Sequence, residues 1–171
     1  MIIDVTSFTS GARQIENAVE PQKNANHIAV AGRINGYIEA LQFDFLKQAV
    51  GMPLASQIDE YSRVEHEEKD ETMEALIASL KEPFADFVFF YMLRDMNSQP
   101  TITGLVQLKC ANSYVSPLDK GVQIWNHMVD EMRCFAGDAD ALNVEGVVVD
   151  KNLLTYINQF NLQEACCSET S

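Results

Sequence analysis

Between Ile34 and Ile58 the chain reads INGYIEALQFDFLKQAVGMPLASQI, and this segment leaves little freedom of local structure. Ile34, Ile38, Leu41 and Phe45 fall at i, i+4, i+7 and i+11, one stripe of a helix with 3.6 residues per turn. Gly51 sits where a helix takes a left-handed residue after its last turn, and Pro53 follows where the same helix cannot continue. Leu54, Ile58 and Tyr61 then restart an apolar face. The spacing predicts a helix to about Val50, a glycine hinge, and a second helix over Leu54 to Val64.

A stripe of this kind must be buried, and 171 residues suffice for one domain with a real core, at about 70% burial of the unfolded surface. Hydrophobic residues make up 47%, too many for a disordered chain. The formal net charge of −13 argues against binding nucleic acid by phosphate neutralisation and against an anionic membrane surface. MIIDVTSFTSG lacks the basic and apolar regions of a signal peptide. The most apolar run, Phe84 to Leu93, is too short to span a bilayer and carries Asp86. Cys110, Cys134, Cys166 and Cys167 show no C-x-x-C spacing, which points to free thiols rather than zinc or a disulfide framework.

Residues 1–26 read as an N-terminal arm, with Ile2, Ile3 and Val5 as a possible short strand and Asn26 as the N-cap of the first helix. Residues 27–160 form the helical domain, and 161–171 a tail without periodicity. After the second helix comes an acidic stretch, Asp59 to Glu74, with eight acids against Arg63 and Lys69. Met73, Leu76, Ile77 and Leu80 mark a third helix, which Pro83 kinks or restarts. FVFFYML is apolar nearly all round, the mark of the central helix. Residues 99–110, β-branched and containing Gly104, suit a short strand pair or an extended excursion. Ser116-Pro117-Leu118-Asp119 starts another helix, with Leu118, Val122, Trp125, Val129 and Met132 inward and Gly137 as its stop. A short strand over Gly146 to Val149 and a last helix near Asn152 to Phe160 complete a mainly α, small helical bundle of about five helices.

No combination of residues demands catalysis. His27, His66 and His127 occupy different elements, and none has a His or Cys at i+3 or i+4. Val64-Glu65-His66-Glu67-Glu68 lacks the second histidine of a helical zinc motif and reads as a solvated acidic face. Cys134 and His127 share a helix face but lie about 10 Å apart along it, too far for a nucleophile–base pair. The nucleophile-elbow, dinucleotide and P-loop motifs are missing from the sequence. No catalytic residue, cofactor site or metal site is therefore expected. Trp125 and the aromatic run are expected in the core. Ile102, Thr103, Gly104, Leu105, Val106 and Leu108 form an apolar excursion outside any helix and are expected at a subunit or partner interface.

With the elements in order, the chain resembles the head–tail connector proteins of tailed phages, also called head-completion or adaptor proteins, of the type found in phages of gut Bacteroidetes-like hosts. RINGYIEALQFDFLKQAVG resembles the family's first helix with its L-K-x-x-x-G turn. EPFADFVFFYMLRDM is similar to its aromatic-rich central helix, and TITGLVQLKCANSYVSPLDKGVQIWNHMVDEM to its T-x-T-G segment, polar turn and long following helix. These stretches cover roughly residues 33 to 132. The arm at 1–26 and the acidic insert near Glu65 to Glu71 are longer than the family's compact pattern.

The resemblance implies a structural subunit of the virion, assembled in the host cytoplasm. It implies a homo-oligomeric ring of twelve copies on or below the portal protein, with a further ring or tail proteins docked to it and no membrane contact. DNA would pass through such a ring without specific binding, and Glu65, Glu67, Glu68, Asp70 and Glu71 are candidate channel-lining acids that repel phosphate within about 8 Å, the Debye length at physiological salt. Two other readings of the sequence stand beside it: a cytosolic helical adaptor or regulatory subunit docking through 99–115, and a small hydrolase using a carboxylate pair.

Overall fold

The computed structural model describes residues 1–16, 18, 25–65, 69–101, 104–107, 117–141, 144 and 146–158. Four helices dominate these residues: α1 (Ala25–Val50), α2 (Met52–Arg63), α3 (Glu71–Asn97) and α4 (Pro117–Ala141). After α3 the backbone of β1 (Ser98–Thr101) pairs antiparallel with β2 (Gly104–Gln107), Ser98 opposite Gln107. The protein is a mainly α, small helical bundle.

Each of these helices has a local cause. Gly51 separates α1 from α2 with φ 83° and ψ 164°, a backbone region open essentially to glycine alone. Its N–H donates to the Lys47 carbonyl and closes α1, while its own carbonyl accepts from Ala55 N and opens α2. Pro53 stands in the first turn of α2, where a missing N–H costs nothing. Asp70 caps α3: its Oδ1 accepts from the backbone N–H groups of Thr72 and Met73 at 2.9 and 3.0 Å. Glu71 and Glu74 follow in the first turn, where the helix dipole favours negative charge.

The core lies where α3 crosses α1 and α4. Residues 83–90 of α3 are all buried, so this helix is the centre of the bundle, as its all-round apolarity predicts. Phe45 of α1 packs between Phe84 and Phe87, ring centroids 5.1 and 5.2 Å away. Toward α4, Phe90 meets Trp125 at 4.8 Å. Full burial of each such phenylalanine stabilises the fold by about 1.5–3 kcal/mol.

Several expectations need correction. Pro83 neither ends α3 nor starts a new helix; the ring is buried inside one 27-residue helix. The lost hydrogen bond is local, whereas the packing of the apolar turns on both sides is not. Gly137 does not stop α4, because Phe135 and Ala139 anchor the turns around it in the core. The buried stripe of α4 is Ile124, Met128, Val129, Met132, Phe135 and Ala139, while Leu118, Val122 and Trp125 sit half-buried at its margin. Asn26 lies within α1 rather than capping it. Residues 146–150 form no strand. The last helix contracts to a 3-10 turn, Lys151–Leu154, followed by chain without regular structure to Asn158. The count is therefore four helices among the described residues, not five.

The largest correction concerns the arm. Residues 1–16 and 18 are part of the bundle rather than an appendage: Ile2, Ile3, Phe8 and Ala18 are buried in the common core. Two 3-10 turns, Val5–Phe8 and Gly11–Arg13, shape the segment, the first capped by Asp4. Polar anchors complete it. The fully buried Gln42 of α1 accepts from Ile2 N at 2.9 Å and donates to Asp59 of α2 at 2.6 Å. The apolar residues of the segment are few and lack helical spacing, so their joint burial leaves no periodic trace in the sequence.

Candidate functional site

Among the described residues, Asp86 is the charged group buried most deeply, at 1% exposure in the middle of α3. A carboxylate in such a place must be paired and hydrogen-bonded. Its two oxygens face two different elements. Oδ1 accepts from Arg13 Nη1 at 2.7 Å, and Oδ2 lies 2.5 Å from His127 Nδ1 on α4. Since the carboxylate accepts, the imidazole proton sits on Nδ1. Arg13 extends its other Nη to Glu82, one turn earlier on α3, at 2.6 Å. His127 Nε2 lies 3.9 Å from Glu131.

The electrostatics follow from this geometry. The hydrogen bond to Asp86 holds the His127 imidazole above its ordinary pKa, against the opposing effects of burial and of Arg13. Burial works against the charge of Arg13, and the bonds to Asp86 and Glu82 outweigh it. Every described contact of Asp86 runs to a donor that belongs to another segment of the fold, the Arg13 guanidinium or the His127 imidazole. The cluster thus works as a clasp that fastens the N-terminal segment and α4 to α3.

A second polar arrangement lies farther along the same helix. The chain around and after the last 3-10 turn is held on α4 through its backbone. Asn126 pairs with Ile157 in both directions, its Nδ2 donating to the carbonyl at 3.1 Å and its Oδ1 accepting from the N–H at 2.9 Å. Trp125 Nε1 donates to the Thr155 carbonyl at 2.9 Å, and Arg133 Nη2 to that of Leu154 at 3.2 Å. Tyr156 donates its hydroxyl proton to Asp130, and its ring lies under the Arg133 guanidinium at 4.3 Å.

The residues expected to carry function fall elsewhere. Glu65, Asp70 and Glu71 are exposed at the α2–α3 connection; Glu67 and Glu68 lie outside the described residues. Asp70 already serves as the cap of α3. Ile102, Thr103 and Leu108 also lie outside the described residues, and of Gly104, Leu105 and Val106 only the backbone in β2 is described. Among the described residues, no group of three or more His, Cys, Asp or Glu side chains is placed to hold a metal ion, and no helix is long and apolar enough to cross a membrane.

Sequence reasoning passed over Arg13, Asp86, Asn126 and the pairing of His127. One signal was available: an aspartate inside FADFVFFYML has no apolar reason to be there, so it demands a cation. Which cation was not legible, because Arg13 is 73 residues away. Comparison with protein-family models, with curated proteins and with solved structures finds no match.

Proposed function

We propose that the chain is a structural subunit of a tailed-phage head–tail connector, forming a ring below the portal that extends the DNA channel and docks the tail or the next ring. The observation that carries this reading is the succession of a long helix, a glycine corner, an aromatic-rich central helix and a final long helix, in the order of the resembling family. The Asp86 clasp fits it, because its donors occupy the carboxylate and leave a tie between segments rather than a free acid or base. Under this reading the exposed acids at the α2–α3 connection, Glu65 and Glu71 among them, face the lumen and keep DNA phosphates off the wall.

The test is imaging. Antibody labelling and cryo-electron microscopy of particles containing the chain are expected to find it at the portal vertex, in copy number matching the portal's symmetry. Finding it in the capsid shell or tail fibre, or only in the infected cell, would refute the assignment. A ring at the vertex with a basic lumen would remove the role of the acids alone.

A further inference from the structure

The strap over α4 is built as a peptide complex. Asn126, Trp125 and Arg133 address backbone groups of residues 154–157, so they read main chain and not which molecule supplies it. Apart from Leu153, which is fully buried, the strap lies at the margin of the core: Leu154 and Ile157 are half-buried, Thr155 and Asn158 are exposed, and Tyr156 is 43% exposed. Segments with few buried apolar contacts open first. Upstream, Gly146 turns the chain at φ 86°, and the next residues rest on the end of α1 through Val148 N to Val50 O and Asp150 N to Gln48 O. Handing the strap to an identical acceptor preserves every contact and costs only tether entropy, which is why such exchange is a low-cost route to association.

We propose that Lys151–Asn158 is a transferable strap, which leaves α4 of its own chain and docks in the same register on α4 of a second copy. The occupant is another molecule of this protein, and the acceptor is the Trp125–Asn126–Arg133 face. The inference goes beyond the connector reading and does not depend on it.

Two complementary full-length variants test it. Asn126→Leu with Arg133→Ala spoils the acceptor and leaves the strap intact. Tyr156→Ala with Ile157→Pro spoils the strap, because proline has no N–H for Asn126 Oδ1, and leaves the acceptor empty. Each variant alone should remain at 19.1 kDa by light scattering, and an equimolar mixture should show a species of twice that mass. A mixture that stays monomeric while both variants keep their helical circular dichroism overturns the proposal. Should either variant fail to fold, a synthetic peptide of residues 151–158 is titrated with the wild-type chain. A saturable rise in the anisotropy of a fluorophore carried by that peptide is then expected, and an unchanged anisotropy at large protein excess overturns it.

Discussion

Replacing Asp86 by alanine tests how the fold is fastened. Arg13 touches two carboxylates at nearly equal distance, Glu82 at 2.6 Å and Asp86 at 2.7 Å, but Glu82 is 60% exposed and Asp86 1%. Distance alone would rank the bonds equal; burial separates them. An exposed pair contributes about 0–1 kcal/mol, because water solvates both charges almost as well when they part. Breaking a buried pair costs about 3–5 kcal/mol, since the remaining cation keeps its desolvation cost without its partner. Arg13 is 15% exposed in its side chain and would be left with Glu82 alone, whereas His127 is 55% exposed and recovers water. Most of the loss therefore falls on the arginine contact. For a chain of this size about 1 kcal/mol moves the midpoint by roughly 2–4 °C, so Asp86→Ala should lower Tm by about 6–20 °C and Glu82→Ala by no more than about 4 °C. Calorimetry of both variants is the assay, and a double-mutant cycle with Arg13→Ala isolates the pair. An Asp86 variant no less stable than the Glu82 variant would refute the argument from burial.

The other predictions concern single positions. The His127 pKa is raised in the folded state, so its contribution is fully present below the unfolded value of about 6.5 and is lost as pH rises through the higher folded value. The stability gap between wild type and His127→Gln should accordingly shrink on alkalinisation, and an NMR titration placing His127 at or below an ordinary imidazole would count against the clasp. Gly51→Ala should cost about 1–3 kcal/mol from backbone strain alone, because the new Cβ would meet Val148 Cβ at an ordinary 3.8 Å; an unchanged denaturation midpoint would contradict this. Phe87→Ala should cost about 3–5 kcal/mol, since it empties a space lined by Phe45, Tyr91 and Trp125, and hydrogen exchange should be slowest near residues 84–90; fast exchange there would remove α3 from the centre of the bundle.

Periodicity and residue type alone placed the long helices and the middle of the bundle. The stripe from Ile34 to Phe45 could be satisfied only by a helix with one buried face, and of its four residues Ile34, Ile38 and Phe45 are fully buried and Leu41 half-buried. Gly51 and Pro53 marked a corner because their backbones allow little else, and the apolar run after Pro83 could not rest anywhere but inside. These are local or periodic constraints, written within a few turns of the chain. Tertiary structure decided what happens where two constraints compete. Pro83 and Gly137 are breakers by local rule, yet the packing on either side of each carries the helix through. Tertiary structure also decided everything that joins distant residues: the burial of Phe8, the choice of Arg13 and His127 as partners of Asp86, and the grip of Asn126 on Ile157 across 31 positions. A hydrogen-bond partner far along the chain leaves no spacing to read, because it is selected by which surfaces meet once the apolar faces are buried.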